Sequence, residues 1–306
     1  MNARAVAGVL LVAAALFGEI DAGAAETFSV ATFNLENYLE APRGTRPAKS
    51  AAAKAKVRES LLAVRADVVA LQEIGDTPAL LELLGALRQD GLDYPHWEAV
   101  GGHDTNIIIA VASRFPILAR RPHTNENFLL QGRRFQVSRW FAEVDLRVNP
   151  RYSLTLISAH LKSRRALPAA DEAELRLQEA LLLRQTVEAC LAREPDSNLI
   201  VLGDFNDTKA SRTLRTLLGR GARALVDTRP AERNGDGFPA PHDTRNVTWT
   251  YYYAREDTYD RSDYILLSRS MAREWRPEGT FVLALPNWGL ASDHRPVVAA
   301  FVAEDR

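Results

Sequence analysis

The stretch Leu199-Ile200-Val201-Leu202-Gly203-Asp204-Phe205-Asn206-Asp207 decides how this chain is read. Its unbroken apolar start is that of a strand buried on both faces. It then ends on Asp204 and Asn206, polar groups that a buried position tolerates only with a metal, a hydrogen-bond partner or water. Gly-Asp and Asn-Asp are also ordinary turn chemistry, so the stretch alone leaves a plain strand exit open.

The pattern recurs on either side. Phe28–Phe33 runs into Asn34, Val68–Leu71 into Gln72 and Glu73, and Leu154–Ala159 into His160. Each run is short and rich in Val, Ile, Leu, Phe or Thr, which favours strand over helix. Two clusters have the reverse order: Asp263 precedes Tyr264–Leu267, and Asp293-His294 precedes Pro296–Val298. Ligands of open sheets sit at the carboxyl ends of strands. If all six clusters meet at one such rim, the last two strands run antiparallel to the first four and the sheets are mixed.

Between the strands, Ala48–Val64 and Asp171–Ala192 read as helices. Further strands are expected at Asn106–Ser113, Trp140–Val148, Asp263–Ser268 and Pro296–Val302, and Arg229–Arg245 is the clearest loop. Alternating strands and helices define an α/β protein. No shift of composition divides residues 26–306, which read as one domain.

Length and composition narrow the class. The chain has 306 residues and 46% apolar content, enough to bury a substantial core. Its 38 Lys+Arg against 39 Asp+Glu disfavour a histone-like or architectural DNA binder, though not an enzyme with a local basic cleft. Cys190 is the single cysteine, so there is no intramolecular disulfide and no cysteine zinc site. Residues 1–25 read as a signal peptide: Arg4, an apolar run from Ala5 to Phe17, then the small-residue stretch Asp21–Ala25. The run is shorter than the roughly 20 residues that span a bilayer, so the alternative of an uncleaved anchor ranks second. The mature chain is expected in the periplasm or outside the cell, with no transmembrane segment and as a monomer.

The polar groups gathered at the rim are Asn34, Glu73, His160, Asp204, Asn206, Asp263, Asp293 and His294. Oxygen donors dominate and thiolate is absent, so the implied ion is hard, Mg²⁺ first and Mn²⁺ or Ca²⁺ next. Two histidines among acids also suit acid–base work around a phosphate ester.

Six motifs, in order, resemble the endonuclease/exonuclease/phosphatase superfamily: Thr32-Phe33-Asn34-Leu35-Glu36-Asn37, Leu71-Gln72-Glu73, Ser158-Ala159-His160-Leu161-Lys162-Ser163, Gly203-Asp204-Phe205-Asn206-Asp207, Arg261-Ser262-Asp263-Tyr264-Ile265 and Ser292-Asp293-His294-Arg295-Pro296. The resemblance implies a four-layer α/β sandwich, two packed mixed sheets flanked by helices. It implies that Glu73 is the main metal ligand, with Asn34 and Asp293 close to the same ion, and that Asp204 and Asn206 lie beside the attacking water and the phosphate. His294, oriented by Asp263, is implied as general base or phosphate-polarising imidazolium, and His160 as a leaving-group histidine whose acidic partner could be Asp104. Arg139 resembles a phosphate-contacting arginine, with Lys162 beside it. The implied activity is metal-dependent phosphodiester hydrolysis. Nucleic acid is the first substrate, a phospholipid head group or a small phosphate ester the alternative, and a non-catalytic binding member the third reading.

Substrate choice in such folds lives in loops, here Leu39–Lys49, Pro122–Arg134 and Arg229–Arg245. Arg133, Arg134, Arg139, Lys162, Arg164 and Arg165, flanked by Phe135 and Trp140, could form a polyanion groove or a solvated surface. Tyr251–Tyr253 with Trp249 could stack on bases, but a strand packing its rings into the core is the readier expectation. His103, His123 and His242 are expected at the surface, and Cys190 inside a helix.

Overall fold

Every residue of strand Leu199–Asp204 is buried, as its apolar run requires. It pairs parallel with Tyr152–His160 and antiparallel with Asp263–Leu267, so Asp204 stands in register with both His160 and Asp263. Thr27–Tyr38 repeats this arrangement, parallel to Val68–Ile74 and antiparallel to Val297–Val302. The reversed direction expected of the last two strands is thus present.

A computed structural model describes residues 26–232 and 248–304. The expected signal peptide, His242 and most of the loop Arg229–Arg245 lie outside the described residues. One sheet has seven strands, in the order Ala231–Glu232, Trp275–Val282, Val297–Val302, Thr27–Tyr38, Val68–Ile74, Ile108–Ser113 and His96–Val100. The other has six: Val226–Asp227, Asp263–Leu267, Leu199–Asp204, Tyr152–His160, Phe141–Asn149 and Ile117–His123.

The period of two along each strand makes the layers. Leu156, Ile200 and Ile265 point between the sheets, where they meet Val30, Val68 and Val297. Their neighbours Ile157, Val201 and Leu266 point outward, against Leu183 and Val187 of helix Glu172–Arg193 and Leu214 of helix Arg212–Leu218. On the other side Phe33, Leu71 and Val298 meet Leu61 of helix Ala51–Val64 and Leu80 and Leu83 of helix Thr77–Gln89. The result is the expected four-layer sandwich, with the core in three sheets of apolar contact.

Several expectations need adjusting. The first helix begins after Ser50, whose side chain accepts from the Ala53 amide, and the long helix after Asp171, which accepts from Glu174. Helix Thr77–Gln89 adds to the two ranges read from the sequence: Asp76 caps it, and Leu80, Leu83, Leu84 and Leu87 are buried at helical spacing. Val68–Leu71 extends to Ile74, so Glu73 lies within its strand and not beyond it. Tyr251–Tyr253 forms a strand, but only in a hairpin with Thr258–Asp260, and its rings stay half-buried outside the core. His103 is exposed as expected, whereas His123 is half-buried with Nε2 2.7 Å from Glu143 Oε2. Cys190 is buried in its helix. No helix among the described residues is long and apolar enough to cross a membrane.

Candidate active site

The rim is shaped by backbone that strands do not ordinarily adopt. The register of Thr27–Tyr38 against Val68–Ile74 slips between Asn34 and Tyr38, where Glu36 and Asn37 have φ of 45° and 55°. Glu73 (φ 61°) sits at a second slip and Asn206 (φ 53°) just past its strand. Bulges re-aim side chains, and positive φ in residues with a Cβ costs on the order of 1 kcal/mol or more, a strain typical of functional sites. At Gly203 (φ 138°) a Cβ would lie 1.9 Å from the Ala159 carbonyl oxygen, so only glycine lets these parallel strands close with Asp204 beside His160.

His294 is fixed at both ends. Its Nδ1 is 2.8 Å from Asp263 Oδ2, and Nε2 faces Asp204 Oδ2 at 3.7 Å and Asp293 Oδ1 at 3.8 Å. Asp263 is fully buried and also accepts from Thr250 Oγ1 at 2.7 Å. Burial alone would lower the imidazole, but the charges of Asp263 and Asp204 outweigh it and hold His294 well above the ordinary histidine value. His160 is pushed the other way, by burial first and then by Arg139 and His294. Its Nε2 lies 3.4 Å from Asp204 Oδ2 and 4.0 Å from Glu73 Oε1.

Asp204 therefore joins the two histidines. It accepts from Asn34 Nδ2 (3.0 Å) and from the Asn206 amide (2.8 Å), while Asn206 Nδ2 also donates to the Leu161 carbonyl. Burial lifts Asp204 to about 6 against the pull of His294. Asp293 rises to about 7, through burial and the negative charge of Glu36 and Glu73, again opposed by His294. Glu36 is raised by loss of water around its carboxylate and by Glu73, although Lys49 pulls it down.

Two donor sets could hold a cation. One ligand atom from each of Asp204, Asp263 and His294 lie within 4.8 Å of one another. That trio is closed by its own hydrogen bond from His294 to Asp263, which suits proton handling better than ligation. The second set, Glu36, Glu73 and Asp293, is all oxygen and more open, and the charge of Glu73 pushes the pKa of both Glu36 and Asp293 upward. A hard divalent ion is the species that relieves such crowding, so these residues fit one. Asn34 lies beside them, its Oδ1 accepting from the Glu36 amide at 3.0 Å.

Hydrogen bonding gives three of the expected residues partners within the protein. Asp104 does not partner His160: its Oδ2 accepts from Arg46 at 3.1 Å and lies 3.9 Å from Arg139, and His160 Nδ1 has no hydrogen-bond partner among the described residues. Guanidinium groups have claimed that carboxylate. Arg139 is 4% exposed and donates to the carbonyls of His160 (3.2 Å) and Leu161 (2.6 Å). Lys162, 7% exposed, donates to Ser163 and Arg165 carbonyls and to Ser163 Oγ. A buried cation must be satisfied inside, and both brace the turn after His160. The basic groove divides accordingly: Arg133, Arg134, Arg164 and Arg165 remain outside and exposed, and Arg164 is held by Asp260 and the Asn206 carbonyl.

Other residues at the rim escaped the sequence reading. Glu36 accepts from the Asp293 amide at 3.2 Å, Lys49 Nζ donates to the Glu36 carbonyl at 2.9 Å, and Arg46 lies 3.7 Å from Glu73. Thr250 fixes Asp263, and the Tyr251 ring, read in the sequence only as a stacking or core residue, lies tilted by 34° with its centroid 4.6 Å from that of His294. Glu36 stood inside a motif and Arg46 and Lys49 in a substrate loop, but only the bulge aims them here. A cavity of about 560 Å³ opens beside Asp293. One of about 450 Å³ lies at the opposite ends of the same strands, near Ser153 and Asn198, and contains none of these groups.

This architecture and site define a class of metal-dependent phosphoric ester hydrolases, and comparison places the chain within it. The Endonuclease/Exonuclease/phosphatase family profile matches residues 31–294, and the chain belongs to that family. No curated protein matches the chain by sequence. Among solved structures, the catalytic domain of human Nocturnin aligns at a TM-score of 0.63 with 17% identity, covering 91% of this chain and 95% of that one. Sphingomyelinase C from Streptomyces griseocarneus gives 0.61 and 20%, covering 90% and 99%. The 3′ phosphatase NExo from Neisseria, bound to a product DNA hairpin, gives 0.59 and 18%, also covering 90% and 99%. At these identities the likeness speaks to the shared fold.

Proposed function

We propose that this chain is an exported, Mg²⁺-dependent nuclease that hydrolyses phosphodiester bonds by in-line attack of water, without a covalent intermediate. The observation that carries the reading is the pair of histidines on either side of Asp204, His294 3.7 Å and His160 3.4 Å from its Oδ2, with Asp263 bonded to His294 and raising its pKa and burial lowering that of His160. Pairs of groups whose environments separate their pKa values mark acid–base assignments.

Glu73, Asp293 and Asn34 would hold Mg²⁺, with Mn²⁺ or Ca²⁺ as substitutes and Glu36 alongside. Bound there, the ion supplies charge neutralisation for the phosphate oxygens. Asp204 takes a proton from the attacking water, whose position Asn206 fixes. His294 donates from Nε2 to a non-bridging oxygen and steadies the charge that builds on phosphorus. His160, with hydrogen on Nε2, donates a hydrogen bond to the leaving oxygen, which takes its proton from solvent. Arg139 and Lys162 act only through the turn they brace.

The test is a panel of DNA, RNA, sphingomyelin and small phosphate monoesters, each assayed with Mg²⁺, Mn²⁺ and Ca²⁺ and run beside Asp204→Ala. Nucleic acid cleaved with Mg²⁺ and spared by the variant supports the reading. Cleavage confined to sphingomyelin or to monoesters replaces it with the other branch. Export is tested by the mass of the recovered protein, which should lack about the first 25 residues of an ordinary signal peptide.

A further inference from the structure

The cavity beside Asp293 is walled by Tyr251, Tyr252, Tyr253, Arg255 and Trp288, and its volume of about 560 Å³ falls within the range of small-ligand sites. We propose that this cleft is a nucleobase subsite, taking the base attached to the scissile phosphate; the inference rests on the nuclease reading and adds what the site recognises.

Three observations carry it. The first is ring surface left outside the core. Tyr251, Tyr252, Tyr253 and Trp288 are only half-buried, and Tyr259 is 55% exposed. Tyr252 stacks on Tyr259 with centroids 4.6 Å apart, and Trp288 meets Trp249 edge-on at 5.1 Å. Flat apolar faces held open in this way bind the π-face of any base.

The second is rigid attachment to the reacting groups. The Tyr252 amide donates to the Asp293 carbonyl at 2.9 Å and the Arg295 amide to the Thr250 carbonyl at 2.7 Å. Tyr252 Oη donates to Asp257 at 2.7 Å, and the Tyr251 ring lies against His294. A base seated here therefore has a fixed position relative to the phosphate, which is the condition for binding to assist reaction.

The third is charge. Aromatic walls also suit a quaternary ammonium group. Glu36 and Asp293, the acids of this cleft, belong to the set that fits the metal. The charge left to the cleft is that of Arg255, which repels an ammonium and favours a nucleotide.

Calorimetry in Mg²⁺ with adenosine 5′-monophosphate, ribose 5-phosphate and phosphocholine decides the matter. The nucleotide should bind roughly 5- to 100-fold more tightly than ribose 5-phosphate. That preference should vanish in Trp288→Ala and Tyr253→Ala and survive in Tyr253→Phe. Equal affinities, a preference untouched by both alanine variants, or tighter binding of phosphocholine would overturn the subsite. Hydrolysis of methyl p-nitrophenyl phosphate, which has no base, separates the two claims: activity there without base preference sinks the cleft alone. Inactivity on it and on nucleic acid sinks the nuclease reading, and the subsite with it.

Discussion

At the scale of the residue, one hydrogen bond organises the candidate site. Asp263 holds His294 at 2.8 Å and is itself held by Thr250. Replacing Asp263 by Asn removes a negative charge from the imidazole, so the histidine pKa should fall in an NMR titration. The rate should drop by about 10²- to 10⁴-fold, the usual worth of a positioned proton-transfer group. A wild-type rate in Asp263→Asn, or in His294→Ala, would remove the assigned role. Glu73 and Asp204 were legible as candidates because a polar group at or near the end of a buried strand needs a partner. The carbonyl partners of Arg139 and Lys162 were not legible, because sequence shows that a cation is near, not which carbonyls it satisfies.

Single strands and their neighbours set the second scale. The approach of Leu199–Asp204 to Tyr152–His160 depends on Gly203. In Gly203→Ala the methyl group meets backbone and the residue keeps a φ that only glycine adopts readily, so a loss of about 3 kcal/mol or more is expected in thermal or urea unfolding. An unchanged midpoint would show that the strands can part without loss. Across the sheet edge, Glu143 lies 2.7 Å from His123 and 2.5 Å from Arg121. Burial raises this carboxyl, but the hydrogen bonds from His123 and Arg121 bring it down to about 2. A carboxylate depressed in the folded state contributes stability that is complete above its unfolded value near 4.5 and is lost as pH falls toward 2. Unfolding followed across that window should show about 2 kcal/mol of acid sensitivity, allowing for the solvent around Arg121, and Glu143→Gln should abolish it. Strands and the long helix were readable from period and caps. Helix Thr77–Gln89 carries its own cap at Asp76 and four buried leucines at helical spacing, so it too was legible in the sequence.

Taken as a whole, the molecule is formally almost neutral, and the cations near its rim, Arg46, Lys49, Arg164 and Arg255, are few. A nuclease of this kind should lose affinity for DNA with a slope of about −2 to −4 in log K against log salt, since each phosphate contact contributes about −0.9. A slope near zero would point to a small substrate. Chelation with EDTA should stop hydrolysis and added Mg²⁺ restore it; activity indifferent to chelation would remove the metal from the account.

The order of apolar runs and polar ends determined by itself that the sheets are mixed, which strands reverse, and that Glu73, Asp204 and His294 share a rim, because burial leaves polar groups so few destinations. Tertiary structure alone decided which of those groups touch. The bulges at Glu36 and Glu73, the capture of Asp104 by arginines and the docking of the tyrosine hairpin on Asp293 all arise from pairings between segments far apart in the chain, and a local pattern holds no record of which distant partner wins.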